Sequence, residues 1–521
     1  MHNRRHFLAG ATLAGLAAPA IVRAQGLLRN FPFQLGVAAG DPASDGFVIW
    51  TRLAPEPMER HGGMPLTNVP VEWEVASDGG FRDVVAKGTA LARPELAHSV
   101  HVEVAGLQPD RPYYYRFTAA GERSLRGRAR TLPAPGTRVD ALKFGVAGCQ
   151  HLESGFYGAY RHLAREDLAF VYHYGDFIYE YRQDYLFDDG LPIRPVRQYA
   201  QRALFDLTDF RTAYAQTLLD IDQQAVRAVH AHLSSFDDHE IRNDWVSDID
   251  NWKMGLPGND PDAAPPEVFM LKKQAAMQAW YEHMPVRRSL LPRGGMVAAH
   301  RELRYGDLMA MQLLDTRQYR DDQPCGDGFK PACDDVFAKD RQVLGKAQEE
   351  WLARNLARGG ATWNALAQQV TMMSLDRRRR PEETEKIVNL DSWAGYEAAR
   401  TRMLSRFAGL ENNIVLTGDE HQNFCGDLVR QDKVVGAEFV ATSISSGGDG
   451  SDKRAGTDDW LARNPELRFA NDQRGYLVCE VGREAWQTHF MVVDKVTTPV
   501  NSLSKRATGV VERGVAGVKM A

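Results

Sequence analysis

Four apolar stretches of this chain each end in residues able to bind a metal ion. The run Leu168-Ala169-Phe170-Val171-Tyr172 leads into Tyr174-Gly175-Asp176-Phe177-Ile178-Tyr179. An unbroken apolar run stopped by glycine predicts a buried strand, and an α/β sheet gathers its ligands at the mouths of such strands. Asp176 and Tyr179, three positions apart, then face one crevice, where a carboxylate and a phenol suit a hard, highly charged cation. A second run, Leu142 to Gly148, ends in the thiol of Cys149, which a bound metal would ionise. A third, Val229 to Phe236, enters Asp237-Asp238-His239-Glu240-Ile241-Arg242-Asn243-Asp244. Asn243 stands where a zinc-protease helix needs its second histidine, so that motif fails. The fourth, Asn413 to Thr417, leads into Gly418-Asp419-Glu420-His421. Extended backbone there would aim Asp419 and His421 to one side and Glu420 to the other. Taken singly, each end has a plainer reading: a helix cap, a buried thiol, a loop histidine. Taken together they are a thiol, a carboxylate with a phenol, two acids with an imidazole, and an acid with an imidazole, and one sheet edge would bring them into contact.

The elements that must hold these ends fall into two patterns. From Phe31 to about Leu132 the chain reads as short strands and turns, with a strand at Phe47–Thr51 and alternating segments at Val71–Val75 and His101–Val104. Leu107-Gln108-Pro109 before the Tyr-rich Tyr113-Tyr114-Tyr115 is similar to the tyrosine corner of immunoglobulin-like and fibronectin-like sandwiches. After the linker Pro133-Ala134-Pro135-Gly136, buried strands alternate with helices, as in α/β layers. The expected organisation is a leader over 1–24, a β-sandwich over 30–133, a larger domain over 139–496 and a tail over 497–521. The sandwich carries no cluster of catalytic residue types, and its expected role is to pack against the larger domain.

Arg4-Arg5 before Phe7-Leu8, an apolar stretch to Val22 and a small residue at Ala24 read as a twin-arginine export signal, too short for a membrane span. This predicts a periplasmic or secreted protein, exported folded by the twin-arginine translocation machinery, with no transmembrane segment. The 521 residues carry a net charge of −5, or −8 without the three arginines of the leader, and nothing in that balance suggests non-specific nucleic-acid binding. Of the five cysteines, Cys325 and Cys333 bracket a loop rich in Gly, Pro and Asp and are expected to form a disulfide outside the cytoplasm. Cys149, Cys425 and Cys479 remain, an odd set of which at least one is free, buried or bound.

The order of these motifs resembles the calcineurin-like metallophosphoesterases and, within them, the PhoD-type alkaline phosphatases. The superfamily pattern D-x-H, G-D-x-x-D, G-N-H-D/E and G-H-x-H is met by Gly148-Cys149-Gln150, Gly175-Asp176-Phe177-Ile178-Tyr179, Asp237-Asp238-His239-Glu240 and Gly418-Asp419-Glu420-His421. Cysteine in the first, tyrosine in the second and the D-D-H-E third mark the PhoD branch. Tyr281-Glu282-His283-Met284-Pro285, Leu314 to Arg320 and Asp391 to Tyr396 also look like that branch. The resemblance implies an α/β, metallophosphoesterase-like layered β-sandwich flanked by helices and preceded by a small all-β domain.

It further implies one ferric ion held by Cys149, Asp176, Tyr179 and His421, and two calcium ions for which Asp176 bridges and Asp238 and Asp419 are ligands. Glu240 and Asn243 are secondary candidates for the outer calcium. Thiolate, phenolate and imidazole suit Fe³⁺, and oxygen donors alone suit Ca²⁺. The implied activity is metal-dependent hydrolysis of phosphoesters, small or polymeric, by attack of a metal-bound hydroxide or oxo species, with His239 as proton donor or phosphate ligand. Arg287 and Arg317 are read as ion-paired residues within reach of a phosphate role, and the run Arg377-Arg378-Arg379-Arg380 as a solvated loop that attracts anions if it overhangs the cleft. Two other readings stand beside this one: a phosphodiesterase or phospholipase D-like hydrolase on the same site, and a non-catalytic exported binding protein.

Overall fold

The computed structural model describes residues 30–186, 194–250, 264–380 and 382–521. The expected leader, 1–24, lies outside the described residues. Two large mixed sheets face each other. The first runs Lys519–Met520, Leu503–Glu512, Ala485–Val493, Gly475–Gly482, Ala141–Ala147, Val171–His173, Ala231–Ser234, Val37–Ala43, Gly46–Arg52, Ser99–Val104. The second runs Arg301–Tyr305, Met309–Leu313, Trp363–Ala367, Asn413–Thr417, Lys433–Val440, Asn423–Arg430, Leu467–Asn471.

Between the sheets lies an apolar layer that includes Phe144, Val146 and Tyr172 from one side and Met311, Ala365 and Leu416 from the other. Strands buried on both faces read as continuous apolar runs, which is why these segments stand out in the sequence. On its outer face the first sheet packs on helices Gly158–Leu163, Leu207–Leu218, Ile221–Val229 and Pro266–His283. Helices Gly345–Arg358 and Glu397–Phe407 cover the second. The result is a layered α/β sandwich with helices outside and β inside.

The N-terminal strands form a sandwich of their own around Phe47, Ile49, Val71, Val75, Tyr115 and Phe117. Its tyrosine corner is present: the Tyr113 phenol oxygen accepts the N–H of Gln108 at 3.0 Å. One of its two sheets is shared with the larger domain. Val37–Ala43 pairs in parallel with Ala231–Ser234, with Ala39 opposite Ala231 and Gly40 opposite His232. The connection at 133–136 is therefore a link in sequence across which the sheet itself continues. The segment from Thr497, expected as a tail, contributes the strand Leu503–Glu512, paired antiparallel with Ala485–Val493. Cys325 and Cys333 are joined by a disulfide, and Cys149, Cys425 and Cys479 are free and buried. No described helix is long and apolar enough to cross a membrane.

Candidate metal centre

The three strands that precede Cys149, Asp176 and Asp237 are neighbours in the first sheet, all parallel, so their C-terminal ends open on one edge. The strand before Asp419 belongs to the second sheet. The side chain of Tyr174 ties the two sheets together there. A Cβ on Gly148 would lie 2.3 Å from its ring, and one on Gly418 would lie 2.2 Å from it, so only glycine lets both strand ends close on this tyrosine. Its hydroxyl donates to the carbonyl of Thr442 at 2.8 Å. At Gly175 the φ is +138°, and a Cβ would meet the Asp237 nitrogen at 2.5 Å. The glycines ahead of Cys149, Asp176 and Asp419 thus let these strand ends close on one another.

Beyond the glycines the chain turns sharply. Cys149, Asp176, Asp419 and His421 all have positive φ, at 51°, 56°, 67° and 53°. Left-handed backbone at a non-glycine residue costs on the order of 1–3 kcal/mol and concentrates at functional sites. Four such residues converging on one spot mark a preorganised centre.

The ligating atoms of Cys149, Asp176 and His421 lie within 4.8 Å of one another, as do those of Asp176, Asp238 and His239, and those of Asp237, Asp238 and Asp419. Asp176 belongs to two of these groups and so lies between them. The Tyr179 hydroxyl donates to Asp176 Oδ2 at 3.0 Å and stands 3.2 Å from Nε2 of His421. The Cys149 thiol lies 3.3 Å from the same carboxylate oxygen. All six residues expected as metal ligands are therefore brought together. The expectation that Asp419 and His421 would form one two-toothed clamp on extended backbone does not hold. Both are in left-handed turns, and they fall in different groups. Glu420 does turn away, to Arg377 and to the Thr371 hydroxyl.

Electrostatics fit a cation-binding site. Burial, then repulsion from neighbouring carboxylates, raises the Asp419 pKa well above the ordinary carboxylate range. For Asp176 burial dominates and raises its pKa well above the ordinary range, with His239 opposing and Asp238, Asp237 and Glu240 adding to the rise. Burial, then Asp176 and Asp419, also raises the Cys149 thiol. His421 is pushed down to about 3 by burial and then by Arg474, which leaves a neutral imidazole able to ligate. Asp237 Oδ2 is buried with no hydrogen-bond partner. An orphaned carboxylate oxygen among acids is what a cation satisfies.

His239 is held by a carboxylate: its Nδ1 lies 2.8 Å from Glu180 Oε2, and its ring stacks on Tyr179 at 4.0 Å. Burial opposes charge on this ring, but Asp238, Glu180 and Asp176 outweigh burial and raise its pKa well above the ordinary imidazole value.

The expected ion pairing of Arg317 is present, and the fold places it at the centre. Arg317 is fully buried, with Nε 2.6 Å from Asp237, Nη1 2.9 Å from Asp391 and Nη2 3.7 and 3.9 Å from Asp238 and Asp419. Its partner Asp391 also receives Arg320, so the segments from Leu314 and from Asp391 meet at this guanidinium. Ser446 Oγ is 2.6 Å from the Tyr179 hydroxyl and donates to the Cys149 carbonyl at 2.8 Å. Only the small-residue run Ser445-Ser446-Gly447-Gly448 hints at it. Glu240 is corrected as a calcium candidate, because its carboxylate accepts the N–H groups of Asp176, Phe177 and Asp237 at 2.8–3.0 Å. Asn243 donates its N–H to Glu180 at 2.7 Å. Arg287 lies away from the centre, bonded to the Asp41 carbonyl at 3.0 Å and to Glu103 at 3.2 Å.

The PhoD-like phosphatase family matches residues 144–490, and the N-terminal domain of PhoD-like phosphatases matches residues 19–133. Alkaline phosphatase D of Bacillus subtilis (strain 168) is 42% identical over 535 residues, covering 99% of this chain and 89% of that protein. A solved structure of PhoD, 43% identical, superposes with a TM-score of 0.88 and covers 95% of this chain and 93% of its own. The purple acid phosphatase PPD1 of yellow lupin shares the fold alone, at 11% identity and a TM-score of 0.51, over 92% of this chain and 74% of its own. The chain belongs to the PhoD-like phosphatases and is a phosphoric ester hydrolase.

Proposed function

We propose that the chain is an exported alkaline phosphatase of the D type that releases phosphate from phosphoesters at a centre of one ferric and two calcium ions. The observation that carries this reading is the division of donors. Sulfur, carboxylate and imidazole form one group with the Tyr179 phenol beside it, Asp237, Asp238 and Asp419 form a second of oxygen donors only, and Asp176, Asp238 and His239 form a third that shares a carboxylate with each. The first set suits Fe³⁺ and the second Ca²⁺. The kinship with alkaline phosphatase D supports the phosphoester-hydrolase part of the reading.

Bound there, the ions would supply activation of water and neutralisation of charge on the phosphoryl oxygens. The protein's part is to hold the donors and to move a proton. Backbone N–H groups donated to Glu240 fix the turns that carry Asp176 and Asp237. Glu180 orients His239 and keeps it protonated through Nδ1, which leaves Nε2 to deliver a proton to the departing oxygen. Arg317 balances part of the carboxylate charge before any ion arrives.

Export by the twin-arginine route rests on Arg4-Arg5 and the apolar stretch that follows. Replacing both arginines by lysine should leave the chain in the cytoplasm. Elemental analysis of the exported protein, with phosphate release from a panel of mono- and diesters, tests the centre. One iron and two calciums per chain, with turnover lost in Asp176→Asn, is the expected outcome. Zinc alone, or unchanged turnover in that variant, would refute it.

A further inference from the structure

The centre is buried on most sides. Cys149, Asp176, Asp237 and Asp238 are sealed, whereas the loop from Asp419 to Gln422 is half-exposed, so a substrate reaches the ligands past this loop. Its outer side borders a cleft of about 490 Å³ whose charged lining is six arginines, the run at 377–380 together with Arg454 and Arg463, and one acid, Asp459, with Gln422 at its edge. The run at 377–380, expected as a solvated loop that attracts anions if it overhangs the cleft, lies against the residue next to His421.

The cleft is fixed rather than loose. Arg377 pairs with Glu420 and lies over the Trp460 ring at 4.7 Å, which couples the cleft floor to the ligand loop. Asp376 holds Arg378 at 2.7 Å, Glu383 holds Arg380 at 3.2 Å, and Asp472 holds Arg454 at 2.7 Å. Arg379 and Arg463 have no ion-pair partner among the described residues. Arg463 Nη2 donates to the Arg378 carbonyl at 2.6 Å, and the Arg379 guanidinium lies 5.2 Å from the Phe329 ring. Planar guanidinium forks match phosphate in a two-point contact, and a cleft whose six arginines outnumber its single lining carboxylate, Asp459, concentrates anions.

We propose that this cleft is a subsite for a second phosphate group, carried on the leaving-group side of the ester whose scissile phosphoryl lies beside His421. The preferred substrates are then phosphoesters with at least two phosphates, whose remote phosphate supplies binding energy that orients the reacting one. The inference rests on the phosphatase reading for the identity of the scissile group.

The test uses non-hydrolysable probes on the full-length, metal-loaded protein in calcium-containing buffer: hexane-1,6-diyl bisphosphonate against hexylphosphonate, by calorimetry. The bisphosphonate should bind at least about tenfold more tightly, the scale of one charge-assisted contact. The double variant Arg379→Glu/Arg463→Glu, at two exposed positions outside the centre, should abolish that advantage. Equal affinity of the two probes, or an advantage that survives the charge reversal, overturns the subsite. Phosphate release from phenyl phosphate is read separately. Its absence would refute the phosphatase reading while the calorimetry still decides the subsite, and in the double variant it should stay within about twofold of the parent, since neither arginine reaches the centre.

Discussion

The Tyr179 hydroxyl stands 3.2 Å from Nε2 of His421, although 242 positions separate the two residues. The contact closes the centre across both sheets, because Tyr179 follows a strand of the first and His421 a strand of the second. If both ligate a ferric ion, the phenolate should give the protein a visible charge-transfer band. Tyr179→Phe should bleach or shift that band and weaken iron retention by about tenfold or more. An unchanged spectrum in this variant would remove the phenol from the ligand set.

Metal loading should release protons. Burial, then neighbouring carboxylates, raises both the Cys149 thiol and the Tyr179 phenol, so both carry their protons at neutral pH before an ion binds. Ligation requires the deprotonated forms. Affinity for iron should therefore rise with pH, and the heat of binding should differ between buffers of unlike ionisation enthalpy. Identical heats would mean that neither group gives up a proton on binding.

The long buried strands were legible because residues such as Val171, Tyr172 and Leu416 are apolar without interruption, and the ligands at their ends declared themselves by type. Arg317 did not. Its role depends on Asp237, Asp391 and Asp419 meeting around one guanidinium, and those contacts span 74 to 102 residues in the chain. The shared sheet was equally hidden. Val37–Ala43 reads as the first strand of a small sandwich, and nothing local to it announces the parallel partner at Ala231. Local pattern reports periodicity and chemistry, whereas pairing across more than a hundred residues is decided by packing.

Removing the Arg317 guanidinium leaves buried carboxylates without their counter-charge. Breaking a buried pair by deleting one partner costs about 3–5 kcal/mol, and Arg317→Ala should lose stability on that scale in urea unfolding of the ion-free protein. Calcium should restore part of the loss, because it neutralises Asp238 and Asp419 in the arginine's place. A loss that calcium leaves untouched would show that Arg317 serves packing alone.

Acid should destabilise the fold through histidines that lie off the centre's ligand set. Burial, then Arg227, pushes His173 down to about 3, and burial pushes His230 down to about 4 despite the Leu163 carbonyl that bonds its ring. Both are 2% exposed. In the unfolded chain each takes up a proton near pH 6.5, whereas the folded protein resists protonation until lower pH. Between about pH 6.5 and 4 the unfolded state therefore binds more protons, and stability falls as pH falls, by up to roughly 1.4 kcal/mol per unit for each ring. The contribution is fully present above pH 6.5 and is spent once pH passes below the folded values. His173→Gln/His230→Gln should flatten the dependence of the unfolding midpoint on pH in that window when both proteins are compared without metal. Parallel curves for parent and variant would mean that these rings are not what makes the fold acid-sensitive.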